Sequence, residues 1–239
     1  MKNNPKRNIM AMAGIVAGLA IMPVPSAFAN GSNPGVFSPD ENVFGMTYGD
    51  WSAAWWQWIL SIPAQTNPLN DATGTNCAAS QSSGPVFFLV GSFVGPVTRT
   101  CAVPVDKAIF FPIINAECST AEPAPFYGDN EVQLRICAGG FGDALDVGSL
   151  KVTVDGKKMH SLNDHRAQSP VFNFTLPIDD LLGVDATAGS SVSDGYYVMI
   201  KPLKPGNHTI HFEGACSVGS PCEGYSQDVT YNLTVVAAN

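Results

Sequence analysis

Charge is scarce in this sequence. Asp, Glu, Lys and Arg together make up 13% of its 239 residues, with 12 basic against 20 acidic side chains. A formal charge of −8 leaves no surplus of cations to match phosphates, which argues against nucleic acid and anionic membrane surfaces as partners. Beyond residue 22 no uninterrupted apolar run approaches the roughly 20 residues of a bilayer span, so no membrane insertion is expected once the leader is removed. Catalytic signatures are missing too. There is no Gly-x-Ser-x-Gly elbow, no Cys-x-x-Cys or Cys-x-x-Cys-His and no EF-hand loop, and no cofactor is indicated. Neither a clear internal repeat nor a long linker divides the chain.

What is present points to export. Lys2, Lys6 and Arg7 precede an apolar run over residues 9–22, and Ala27-Phe28-Ala29 offers a small-x-small cleavage site, the pattern of a secretory signal. The alternative is a retained membrane anchor, but Pro23 and Pro25 interrupt the run early. Cleavage after Ala29 leaves residues 30–239 with nine basic and 20 acidic side chains, a formal charge of −11. Six cysteines remain, Cys77, Cys101, Cys118, Cys137, Cys216 and Cys222, and an even count in an exported chain favours disulfides over metal ligation or thiol catalysis. Fifteen pairings are open; proximity suggests Cys77–Cys101, Cys118–Cys137 and Cys216–Cys222.

Gly (23) and Pro (18) are plentiful, which suits an all-β domain better than a helical one. The one strong helix signal after the leader is Thr47 to Pro63, which holds all four tryptophans. Thr47 and Asp50 approximate a capping box, and Trp51, Trp55, Trp58, Ile59 and Ile62 recur at helical spacing as one apolar stripe. That stripe is expected to face the core. Gln57 and Ser61 then fall on a narrow polar side, and Trp56 lies off the stripe.

Aromatic and β-branched runs at 85–93, 97–103 and 107–114 read as strands, and in Ile109-Phe-Phe111 both faces are apolar, as for a strand covered on both sides. A further strand is expected over 131–137, ended by Gly139-Gly-Phe-Gly142. Asp155-Gly156 signals a hairpin turn, and Pro205-Gly-Asn207 a second hairpin between 196–201 and 208–213. Val229, Tyr231, Leu233 and Val235 alternate on a last strand. The expected fold is an all-β antiparallel β-sandwich, Ig-like or jelly-roll-like, with one amphipathic N-terminal helix packed on it. One disulfide-bonded domain over 30–239 is preferred; two subdomains meeting near 140–148 are the alternative.

Site chemistry is sparse. His160, His165, His208 and His211 match no usual zinc or copper spacing, and a three-residue separation puts His208 and His211 on opposite strand faces, so no metal site is expected. Residues 71–76 offer oxygen ligands but read better as an Asx-rich turn. Asn173, Asn207 and Asn232 fit the N-glycosylation pattern, which outward polar strand positions also explain. Glu117, between an apolar strand and Cys118, is the carboxylate that burial would turn into a general acid; the plainer reading pairs it with Arg99 or Arg135. Trp56 is the first aromatic without a core duty, ahead of Tyr127 and Tyr225, and beside Gln57 its ring is able to stack on a sugar. The candidate ligand-binding set is Trp56, Gln57, Glu117, Arg99 and Arg135, whose convergence on one concave pocket would define the site.

Tyr48-Gly-Asp-Trp51 with Trp55-Trp-Gln-Trp58, Asn76-Cys77, Val97-Thr-Arg-Thr-Cys-Ala-Val-Pro104 and Phe110-Phe-Pro-Ile-Ile-Asn-Ala-Glu-Cys118 resemble a group of exported bacterial proteins of no known activity. The likeness covers residues 46–118; residues 202–210 resemble a hairpin common in exported β-sandwiches. It implies a secreted or periplasmic location and brings no catalytic residues. The function expected is a non-catalytic binding or envelope-associated protein whose partner is a cell-surface or extracellular glycan. The alternatives are an extracellular hydrolase using dispersed carboxylates and a structural surface protein.

Overall fold

The structure, a computed structural model, describes residue 1 and residues 35–237, so the expected leader and its cleavage site lie outside the described residues. In chain order the elements are α1 (Tyr48–Leu60), β1 (Val86–Phe88), β2 (Val97–Pro104), β3 (Ala108–Ser119), α2 (Glu131–Asp143), β4 (Leu145–Val154), β5 (Lys157–Lys158), β6 (Arg166–Gln168), β7 (Phe172–Thr175), β8 (Ala188–Ile200), β9 (Gly206–Cys216) and β10 (Ser226–Val236). One sheet runs β1-β3-β8-β6, with β7 also paired to β8; the other runs β2-β10-β9-β4-β5. The fold is sheet-rich, as expected. Pairing is not antiparallel throughout: β1 lies parallel to β3 and β2 parallel to β10. Both are edge strands reached by long connections, which leave the chain free to return in either direction.

Successive strand residues point to opposite faces, so a strand apolar at every position has to be covered twice. β3 meets that condition. Ile109 and Phe111 share a core with Val198 and Ile200 of β8 and with Phe212 and Tyr231 of the second sheet. Ala108 and Phe110 share another with Tyr197 and Met199 of β8 and with Trp51, Trp55 and Trp58 of α1. The register between β3 and β8 shifts between Pro112 and Ile114, leaving Ile113 as an extra residue. A proline with no N–H to give the ladder suits such a bulge.

The α1 terminus forms as its sequence dictates. The Asp50 N–H donates to Thr47 Oγ1 at 3.1 Å, and the Thr47 N–H donates to Asp50 Oδ2 at 2.9 Å, a reciprocal capping box. Three indoles then fasten the helix to neighbouring loops: Trp51 Nε1 donates to the Val43 carbonyl, Trp55 to Leu89 and Trp58 to Ala79, at 2.9, 2.8 and 3.0 Å.

Residues 131–137 are not a strand. They open α2, whose cap is Asn130, its side chain accepting the Gln133 N–H at 3.2 Å. Val132, Leu134 and Ile136 alternate with polar residues and so imitate a strand, yet Val132 and Ile136 are 66% and 71% exposed. The buried positions are Leu134, Ala138 and Phe141, at helical spacing. The glycine run does not end the helix either. A Cβ at Gly142 would come within 2.7 Å of the Asp194 carboxylate, so the glycine lets α2 close onto the Arg166–Asp194 pair.

The Asp155-Gly156 turn joins β4 and β5 as expected, with both residues at positive φ. The second expected hairpin is absent: β8 belongs to the first sheet and β9 to the second. β8 is buried on both faces over its last ten residues, which a half-exposed hairpin strand is not. All three suggested disulfides are formed, Cys77–Cys101, Cys118–Cys137 and Cys216–Cys222. Three bridges fit an oxidising compartment. No helix among the described residues is long and apolar enough to cross a membrane.

Because the capping box starts the helix that covers β3, Thr47→Ala should lower the unfolding free energy by about 1 kcal/mol, read as a lower urea midpoint with unchanged m-value.

Candidate functional site

β1 accompanies β3 for only three residue pairs, Val86 to Phe88 against Ala108 to Phe110. The chain then swings away to the second sheet, where the Val90 N–H donates to Tyr231 Oη at 3.3 Å and the Ser92 N–H to Gln227 Oε1 at 2.7 Å. β3 carries on without a strand on that side until the Ser119 N–H meets the Phe126 carbonyl at 2.9 Å. Between the two attachments lies a cavity of about 600 Å³. The edge of β3 contributes Pro112, Asn115, Ala116 and Glu117 to its wall, and α1 contributes Trp55 and Trp56. Glu122, Pro125 and Phe126 enter from the loop after β3, and Phe141 enters from α2, stacked on Phe126 at 4.6 Å between centroids. Tyr225, Gln227 and the Cys216–Cys222 bridge close the far side.

Of the five sequence candidates the cavity takes two, Trp56 and Glu117. Gln57 is exposed and donates to the Asn173 carbonyl at 2.8 Å. Arg135 bridges Glu131 one helical turn away and donates to Gln168 and to the Ser169 carbonyl, which ties α2 to the segment after β6. Arg99 is 1% exposed and directs its donors to the carbonyls of Asp71, Val90 and Gly91 and to Tyr231 Oη. It thereby holds residues 89–93 in their path along the cavity. Neither arginine pairs with Glu117.

Glu117 is 4% exposed. The Ser191 hydroxyl donates to its Oε2, while Oε1 meets no hydrogen-bond donor. Beside it stands Glu122, brought back by a tight turn: Ser119 Oγ accepts the N–H groups of Ala121 and Glu122, each at 3.2 Å, and donates to Glu122 Oε2 at 2.9 Å. Burial pushes the Glu117 carboxyl well above the usual range, Glu122 pushes the same way through contact and charge, and the Ser191 hydrogen bond opposes both. Ser119-Thr-Ala-Glu122 has the form of a capping box, a signal that pointed to this turn without revealing that it ends against Glu117.

Contrary to the expectation of an aromatic without a core duty, Trp56 is 7% exposed and shares the apolar core of Trp51, Trp55 and Trp58; it packs edge-on to Trp55 at 5.0 Å and has no partner for its Nε1–H. It is the one indole of α1 not bonded to a carbonyl. Across the cavity, burial pushes the Tyr225 phenol up to about 12, and its oxygen contacts the Gln227 amide.

Two other sequence candidates resolve differently. Asp71 forms an Asx turn, its carboxylate accepting from the Thr73 and Asn76 N–H groups at 2.8 and 2.7 Å. His211, Glu213 and Asp228 gather ligand atoms within 4.8 Å on the second sheet, but Lys151 holds Glu213 at 2.6 Å and already supplies a cation there.

A scan against protein-family models finds no match, and neither does a search of curated proteins. Among solved structures, the chain is similar to the cysteine protease inhibitor EhICP2 from Entamoeba histolytica, at 11% identity over 62% of this chain and 96% of that one, with a TM-score of 0.21. It is also similar to Amebosin, at 12% identity over 64% of this chain and all of that one, again with a TM-score of 0.21. Similarity this low carries no argument about the site.

The raised Glu117 carboxyl fixes the sign of a pH effect. The folded state holds the proton above the group's ordinary value of 4.5, so Glu117 favours folding at low pH and that contribution is lost as pH rises from 4.5 through the folded value. Glu117→Gln, which keeps a donor toward Glu122, should flatten this decline, measured by urea unfolding across a pH series.

Proposed function

We propose that the protein is an exported, non-catalytic binding protein, secreted or periplasmic, that takes a small ligand such as one sugar unit of a cell-surface or extracellular glycan into the cavity between α1 and the edge of β3. The observation that carries this reading is that Trp56 and Glu117 line one cavity while each keeps a buried polar atom without a partner. An unsatisfied buried group costs roughly 1–3 kcal/mol, which a hydroxylated occupant recovers by bonding to it. The indole adds a flat apolar face. Export rests on the leader pattern and on the resemblance to exported bacterial proteins, and three disulfides fit it. The scaffold on this reading is a β-sandwich, Ig-like or jelly-roll-like in type, with α1 as an amphipathic helix packed on one sheet.

A hydrolytic role draws support from Glu117, since a carboxyl whose proton affinity is raised by burial and by a neighbouring acid, here Glu122, suits a general acid. Spacing weighs against glycoside hydrolysis. The two carboxyls of a glycosidase stand about 5 Å or more apart to leave room for the sugar or water, whereas these are within hydrogen-bond reach of each other.

Calorimetric titration of the protein against glycan fragments should give binding that Trp56→Ala weakens by about tenfold or more, and Trp56→Phe by less; because Trp56 is buried the alanine variant also melts lower, so binding is read well below its own melting temperature. No binding, or equal binding by the alanine variant, counts against the reading. Turnover of a glycoside that disappears in folded Glu117→Gln would favour the hydrolase instead.

A further inference from the structure

The wall of the cavity has a one-sided composition. Glu117, Glu122 and Glu223 line it, together with aromatic rings from α1, α2 and three loops, and none of its lining residues is Lys, Arg or His. The basic group closest in bonding to the wall is Arg99, whose Nε and Nη1 donate to the carbonyls of Asp71, Val90 and Gly91 and whose buried Nη2 has no partner. Acids and aromatic rings with no cation among the lining residues disfavour an anion. They match a positive charge, because the face of an aromatic ring and a carboxylate both attract one. An ammonium group also brings N–H or polarised C–H bonds toward Glu117 Oε1, which has no donor.

We propose that the ligand of this cavity is an organic cation, an ammonium group on an apolar or carbohydrate body, received by Glu117 and Glu122 and enclosed by the rings of Trp56 and Tyr225. The inference rests on the binding role argued above and narrows it. Burial and the neighbouring Glu122 push the Glu117 carboxyl toward its protonated form; where Glu117 carries that proton, a bound ammonium takes its place and the proton leaves to solvent, so one positive charge is exchanged for another. The titratable groups that share the cavity wall with Glu117 are Glu122 on the loop after β3 and Glu223 and Tyr225 on the loop before β10. From α1 the facing side chains are indoles, and from β8 the hydroxyls of Ser191 and Ser193. Affinity for a cation that does not itself titrate should therefore rise with pH through the range in which Glu117 loses its proton.

The test is calorimetry on the whole protein with matched pairs: choline against its neutral isostere in which carbon replaces nitrogen, and glucosamine against glucose and N-acetylglucosamine. The expected result is that at least one cation binds about tenfold or more tighter than its neutral counterpart, a ratio in the range of desolvated cation–ring contacts. Preference for choline identifies a quaternary ammonium, and preference for glucosamine identifies an amino sugar. In Glu117→Gln, and independently in Glu122→Gln on its partly exposed loop, the preference should shrink toward unity while circular dichroism shows each variant folded at the titration temperature. Equal or tighter binding of the neutral members overturns the inference and leaves the binding role standing. A preference that survives both glutamine variants also overturns it. Absence of binding by every member removes both.

Discussion

Phe110 and Phe111 are neighbours in sequence, point to opposite faces of β3, and are both fully buried. The rest of the molecule is arranged to make that possible. Phe111 stacks on Phe212 at 4.8 Å, joining the two sheets, while Phe110 stacks on Tyr197 at 5.5 Å and meets Tyr48 edge-on at 5.9 Å, joining the first sheet to α1. Burying a large side chain is worth about 1.5–3 kcal/mol, so two adjacent ones oblige the chain to supply a layer on each face. The tryptophan helix is one layer and the second sheet the other.

The cavity follows from the same constraint. β3 continues past the point where β1 leaves it, and the bulge at Pro112 redirects the residues beyond. The polar residues Asn115 and Glu117 therefore fall where the covering layers no longer meet. Arg99 and Tyr231 hold the departing 89–93 segment on one side; Cys118–Cys137 and the Ser119–Glu122 turn hold the loop on the other. An acid kept buried in this way is costly unless it stays protonated or meets a compensating charge, and burial together with Glu122 pushes Glu117 toward the first arrangement.

Local signals were readable and remote ones were not. Thr47, Asp50 and the tryptophan spacing define α1, and the three disulfides join cysteines 24, 19 and 6 residues apart, close enough for proximity to suggest the pairs. α2 was hidden because Val132, Leu134 and Ile136 alternate like a strand and because glycines inside a helix read as its end. The β8–β9 connection looked like a hairpin, since a turn sequence does not reveal whether the chain beyond it changes sheets. At the site, Trp56 stood out as the indole off the stripe and Glu117 as an acid beside an apolar strand. Glu122, Phe141 and Tyr225 meet them only through tertiary structure. Arg99 and Arg135 were misread because an arginine's partner is set by whichever carbonyls and carboxylates the fold brings near: Arg135 meets Glu131 only because 131–143 is a helix, and Arg99 meets Asp71 and Tyr231 only through tertiary structure.

The open edge of β3 carries a hazard as well as an opportunity. Backbone groups left without a strand neighbour are a template on which another chain can add. The loop carrying Glu122, Pro123 and Pro125 lies along that edge, and its acid and prolines are poor partners for a strand. One short segment thus lines the cavity and covers the strand edge together: a change that loosens it should widen the cavity's mouth and uncover the edge at the same stroke.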